Sequence, residues 1–362
     1  LAVTTATWSD RAADIRERLQ RWSDAYSGTA LWVLVTLLFI FAAVFETQLF
    51  VIGIIVGSVL ALGAIGLTLI YGIMRFANFA HGDMMMMGAY LAFFFLTGTV
   101  VGERTGRDTN IGFSVRDLPA ASERLGDLTF GYGFLLAMAL AALVLAIASV
   151  GLDRLVYRPL RRRRAGIVTF AVVSLGIAFS VRALLQIIWG PDPRVYIRGV
   201  FPAQTYLFDI RLKTDQVFIF FAAMAVAAAV YYLLFRTKLG KAMRAYADNS
   251  DLALVSGINT ERVILWTWII GGALMAIAGV LLSLQANLKP ELGFQLLLAL
   301  FASAILGGIG KPQGAFIGAM VVGLSQEVSV AFISAGYKPG IAFVILILIL
   351  LLRPRGLFGS TA

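Results

Sequence analysis

The chain has no cysteine and a single histidine, His81. The first absence excludes a disulfide framework, thiolate chemistry and Cys-ligated zinc. The second excludes a multi-histidine metal site and catalysis by paired histidines. Charge is also scarce: 14% of the 362 residues are Asp, Glu, Lys or Arg, against roughly 25% in soluble domains. With 60% hydrophobic residues, too little polar surface is present to cover a soluble core of this size, so lipid must cover the outside. The net charge of +10 does not indicate nucleic acid, because the basic residues lie in short segments between apolar runs, where membrane orientation is decided. The Gly-rich stretch Gly307–Gly314 is no phosphate loop. The places that motif needs for Gly and for Ser or Thr hold Ile305 and Pro312.

Spanning helices need about 20 apolar residues. Ten runs qualify or come close: 30–45, 49–71, 84–101, 134–152, 166–189, 216–235, 263–283, 293–309, 314–334 and 339–352. Placing the N-terminus inside puts roughly twice as many Lys and Arg on the inner side as on the outer, including the Arg161–Arg164 run and the 236–262 segment. The expected fold class is therefore all-α: a polytopic membrane helix bundle of about ten transmembrane segments with both termini cytoplasmic. Residues 1–29 read as a cytoplasmic amphipathic segment, 30–352 as the transmembrane domain with 236–262 a cytoplasmic loop, and 353–362 as a cytoplasmic tail. Within 293–334 the glycines leave open whether the chain spans fully or re-enters. In the outer loop 190–215, Val195–Ile197 and Tyr206–Ile210 suggest short extended pieces.

Four places carry polarity that needs a reason. Asn78, His81 and Asp83 crowd between two apolar runs, which is expensive in a membrane unless they are wetted or paired. They read as a gate or solute-path element. The competing reading is a cytoplasmic turn with Asp83 capping the next helix. The amide of Gln295 suits the same path. Arg182 and Glu327 sit at similar expected depth inside their runs and are candidates to pair with each other, the alternative being that each snorkels outward. The 236–262 segment has helical periodicity bracketed by Gly240 and Gly257, as a docking piece for a soluble subunit would. Gly53/Gly57 and Gly314/Gly318 are GxxxG pairs, which let helices approach closely. The stretches 57–91 and 303–323 echo each other weakly, each a small-residue helix, a Gly-rich break and another such helix.

The stretch Gly63-Ala-Ile-Gly66-Leu-Thr-Leu-Ile-Tyr71-Gly72, followed by Asn78-Phe-Ala-His81-Gly82, resembles the high-affinity branched-chain amino acid permeases of ATP-binding-cassette importers. So do Tyr157–Arg161, Trp189-Gly190-Pro191, Thr237–Ile258, Leu306–Gly314 and Arg353–Gly359. The resemblance covers about 57–359 in the family's order. The chain departs from it in a longer N-terminal extension and an expanded 102–133 loop. The resemblance implies an inner-membrane permease that works by alternating access and is not an enzyme. It implies a second paralogous permease, two cytoplasmic ATPases that hold the ATP and Mg, and a periplasmic or lipid-anchored binding protein; the permease itself carries no cofactor and has no nucleic-acid partner. It also implies that Gly240, Arg244, Ala245, Ala247 and Gly257 belong to the ATPase-coupling segment. Urea or a short amide is the alternative solute, and an ion-coupled secondary transporter the alternative mechanism.

Overall fold

The computed structural model describes residues 33, 36–101, 108–110, 112–197, 199, 202–206, 209–353 and 356–358. The 1–29 segment and most of the 353–362 tail lie outside these. Among the described residues thirteen α-helices follow: α1 Thr36–Phe45, α2 Thr47–Met74, α3 His81–Thr97, α4 Tyr132–Leu152, α5 Arg158–Arg162, α6 Ile167–Trp189, α7 Thr214–Arg236, α8 Lys238–Asp248, α9 Ser250–Val255, α10 Thr260–Gln285, α11 Leu292–Gly307, α12 Pro312–Val328 and α13 Lys338–Leu352. A π-turn, Asp153–Tyr157, joins α4 to α5 without a break. The expected all-α class holds apart from two small antiparallel hairpins. One pairs β1 Thr99–Val101 with β2 Asp108–Asn110, and the other pairs β3 Gln204–Thr205 with β4 Arg211–Leu212.

Among the described residues six helices are long and apolar enough to cross a membrane: α2, α4 with its extension to Arg162, α6, α7, α10, and α12 with its last turn to Ala331. Burial sorts them. In its most apolar window α10 is 72% buried and α2 67%, whereas α6 is 11% and α7 22%. The centre is thus α2, α10 and α12, with α4, α6 and α7 outside. Leu143, Ile147, Val168, Val172 and Phe221 stand exposed on the outer helices. An apolar belt of this kind would be a liability in water and is the expected surface in lipid.

Close backbone approach holds the centre together. Gly53 and Gly57 of α2 lie against Leu324, Met320 and Gly323 of α12, while Gly314 and Gly318 of α12 lie against Gly307 and Ser303 of α11. Both GxxxG pairs therefore mark helix contacts. Side chains there would push the backbones apart.

Four runs expected to span form helices too short to do so among the described residues: α1 covers only Thr36–Phe45 and α13 has 15 residues, and α3 and α11 fall short as well. Helix α3 has 17 residues, or about 25 Å at 1.5 Å per residue, against a hydrocarbon thickness of about 30 Å. It also starts at His81 and ends at Thr97, where β1 takes over, rather than running over 84–101. Helix α11 has 16 residues, which is also short of a span.

A Gly57→Val substitution is expected to cost about 1–3 kcal/mol by overpacking. Gly151→Ala, where an added Cβ meets nothing within 4 Å, should leave the thermal unfolding midpoint in detergent unchanged.

Candidate transport site at two helix starts

Helix α2 ends in a left-handed residue, Arg75 (φ 57°), whose N–H closes on the Tyr71 carbonyl. Five residues then lead to α3, and each of the polar or aromatic ones is tied down. Phe76 packs on Tyr157 and Phe170, both buried, with ring centroids at 5.1 and 5.2 Å. Tyr157 belongs to the π-turn and stacks on Trp268 of α10 at 5.1 Å. Asn78 Oδ1 accepts the Ala80 N–H at 3.2 Å and its carbonyl accepts the His81 N–H at 3.2 Å. This is an Asx-type turn that launches α3. The Phe79 N–H donates to Ser174 Oγ of α6 at 3.0 Å.

The first turn of α3 carries the buried polar groups. His81 is fully buried, with Nε2 2.9 Å from the Gly63 carbonyl of α2. A carbonyl only accepts, so Nε2 carries the proton and Nδ1 is a bare acceptor; Nδ1 has no hydrogen-bond partner. Asp83 is also fully buried and meets Arg182 of α6 in a bidentate pair, Nε to Oδ1 and Nη2 to Oδ2, each 2.9 Å. Paired forks of this kind are the strong form of a charge-assisted hydrogen bond.

A second helix starts at the same place. Gly82 of α3 and Gly293 of α11 are in backbone contact, and a Cβ on either would run into the other's carbonyl. Two helix N-termini, each with outward-facing N–H groups and partial positive charge, thus meet beside the Asp83 carboxylate. The guanidinium of Arg182 lies over the Phe294 ring at 4.5 Å and near Phe179 at 5.6 Å. Gln295 follows on α11 and is exposed.

Asn78, His81 and Asp83 therefore converge at one break, and Gln295 stands on the helix start that meets it. The expected Arg182–Glu327 pair is not formed. Arg182 pairs with Asp83 because α6 packs on α3, and Glu327 pairs with Lys338 at 2.6 Å because α12 packs on α13. Asp83 lies in the first turn of α3 but makes no capping hydrogen bond; its oxygens are committed to Arg182. Ser174 and Phe294 gave no sign in the sequence, since their role depends on which helices meet.

The 236–262 loop folds as α8 and α9. Thr237 caps α8 by accepting the Gly240 N–H at 3.0 Å. Gly240 itself lies against the Leu233 and Leu234 carbonyls, where no side chain fits. Arg244 is exposed and covers the Phe235 ring at 4.6 Å. The exposed Ala245 accepts the Asn249 N–H at 3.0 Å, and Gly257 (φ +82°) ends α9. The carbonyl of Ala247 accepts a hydrogen bond from the Arg75 guanidinium, so the end of α8 is tied to the residue that begins the break. Near it Asp153 holds Arg161 at 2.6 and 3.0 Å, and Arg158 meets Glu261 at 3.2 Å. Burial pushes the Tyr246 phenol above its ordinary range, with Arg161 opposing.

At the other end of α3, a cavity of about 1080 Å³ is lined by Phe93, Thr97, Arg116, Phe134, Arg194 and Tyr196 among others. Tyr196 donates to the Ala89 carbonyl at 2.9 Å, and Trp189 Nε1 to the Thr99 carbonyl at 3.0 Å. Loop 190–197 is thereby seated on α3.

Helices broken inside an apolar bundle, with buried charge at the break, define a polytopic membrane protein of the solute-moving class. Residues 49–352 match the family model described as "Branched-chain amino acid transport system / permease component", and the chain belongs to this family. It is 32% identical over 314 residues to the high-affinity branched-chain amino acid transport system permease protein LivH of Escherichia coli K12, covering 85% of this chain and 93% of that one. It is 31% identical over 318 residues to BraD of Pseudomonas aeruginosa, a permease protein of the same description (86% and 95% covered). It is 28% identical over 321 residues to the probable branched-chain amino acid transport permease protein LivH of Methanocaldococcus jannaschii (84% and 90%). No solved structure matches the chain.

Asp83→Asn, which removes the counter-charge of the partly buried Arg182, is expected to cost about 3 kcal/mol, the low end for breaking a buried pair. Thermal unfolding of the purified protein in detergent measures this.

Proposed function

We propose that this chain is a permease subunit of an ATP-driven importer of branched-chain amino acids in the cytoplasmic membrane. It works beside a second, similar permease, and it takes solute from a binding protein outside and energy from two ATPases inside. Family membership and relatives matched over nearly their whole length support the class and the solute. In this reading the chain keeps the ten-segment topology with both ends cytoplasmic, and the short helices α3 and α11 each cover only part of the membrane thickness, with the breaks before them completing the crossing.

The single observation that carries the mechanism is the hydrogen bond from Arg75 to the Ala247 carbonyl. Helix α9 offers Leu252, Leu254 and Val255 to solvent, at 63, 60 and 86% exposure. On a cytoplasmic loop these side chains suit a hydrophobic cleft on an ATPase. Movement of α8 and α9 as the ATPases close pulls on Arg75, then on the 75–80 break, and through it on the start of α3. The permease supplies two conformations, and nucleotide on the partners biases their equilibrium.

The test is reconstitution of both permeases and both ATPases in proteoliposomes with the loaded binding protein. Leucine uptake is expected to require ATP and to survive an uncoupler. Uptake that collapses with the uncoupler indicates ion coupling, and uptake of urea in place of leucine indicates the amide importer. Arg75→Ala is expected to leave ATP hydrolysis running while uptake falls about tenfold, within the range of typical coupling energies. Equal loss of both activities would contradict the mechanical link.

A further inference from the structure

The Asp83–Arg182 pair is incompletely covered. The Asp83 side chain is fully buried, but Arg182 is 15% exposed. It emerges beside Phe294 and Phe179, which are 47% and 53% exposed, and on α11 the exposed Gln295 follows directly. Arg182 is seven residues from the end of α6 at Trp189, or about 10 Å inside the span. A guanidinium at that depth cannot economically face hydrocarbon, where insertion scales charge about 2.5–3.5 kcal/mol. The patch around Arg182, between α6 and the start of α11, therefore meets water or another protein, not lipid.

We propose that this face is a binding subsite for the zwitterionic head of the transported amino acid, used by ion-pair exchange. The solute carboxylate takes the place of the Asp83 carboxylate on the Arg182 fork, and the solute ammonium takes the place of the guanidinium on Asp83. Each buried charge keeps a counter-charge throughout, so a full zwitterion passes a low-dielectric point without isolated charge. The two helix starts at Gly82 and Gly293 add N–H dipoles that favour the solute carboxylate. Phe294 and Phe179 give the branched alkyl group an apolar wall, and the Gln295 amide accepts or donates at the rim. With no solute bound, the protein's own pair and the Phe294 ring close the site. The second permease supplies the opposite wall.

This subsite rests on the importer reading, and the experiment separates the two. The complete complex is reconstituted and both leucine uptake and ATP hydrolysis are measured with loaded binding protein. No ATP-driven leucine uptake by the parent complex overturns the importer reading, and the subsite with it. Given parent uptake, the double variant Asp83→Asn/Arg182→Gln leaves no unpaired buried charge. It is expected to keep ATP hydrolysis stimulated by the binding protein while leucine moved per ATP falls about tenfold or more. Uptake per ATP within about threefold of the parent would make the pair a structural tie and overturn the subsite. Should the double variant not assemble, Arg182→Lys decides: it keeps the cation and loses the fork. A drop of several-fold in leucine per ATP at normal assembly supports the subsite, and an unchanged ratio overturns it.

Discussion

The Asp83–Arg182 pair is the constraint around which the rest of the bundle is arranged. Neither charge is tolerable alone at that depth, so the pair holds α6, the least buried of the six long helices, to α3. Fixing α3 at its third residue also fixes where its first turn sits. That in turn requires glycine at 82 and 293, because the start of α11 occupies the adjoining space. A buried ion pair is a weak source of net stability compared with well-packed apolar side chains. Its presence here is better explained by what it allows, which is a polar point inside an apolar bundle that can exchange partners.

From that point two chains of contact run outward. In one direction the path goes through His81 on Gly63, the Asn78 turn, Phe76 among its aromatic neighbours, and Arg75 on the last turn of α8. The π-turn contributes to this path, since it carries Tyr157 between Phe76 and Trp268; such turns recur at functional positions in helices. In the other direction, α3 leads to the cavity beneath loop 190–197, which Tyr196 pins to Ala89. One short helix therefore has the cavity at its end, the polar pair at its start, and the α8–α9 loop one break away.

Much of this was legible in the sequence. The apolar runs gave the helices, the GxxxG pairs gave real backbone contacts, and the Asn78–Asp83 cluster marked the break. The motifs around it gave the family. The depth of the break was not legible. Hydropathy places a polar cluster between two apolar runs at the membrane edge by default, and nothing local says that α3 begins beneath it. The partner of Arg182 was missed for a related reason. Counting residues from helix ends put Arg182 level with Glu327, but which helices touch is decided by packing, and Glu327 had a nearer cation in Lys338. Nothing in the sequence singles out Arg75 from the other arginines between apolar runs, because its partner Ala247 lies 172 residues away.

The account turns on whether the surface beside Arg182 is wet in the assembled transporter. The chain has no cysteine, so single cysteines report without background. Gln295→Cys and Phe179→Cys are predicted to react with a small, charged, membrane-impermeant thiol reagent in the complete complex, and leucine with loaded binding protein is predicted to slow that reaction. Ile147→Cys, on the exposed apolar face of α4, is the unreactive reference. Reactivity at 179 and 295 as low as at 147 would place that face in lipid and contradict the account.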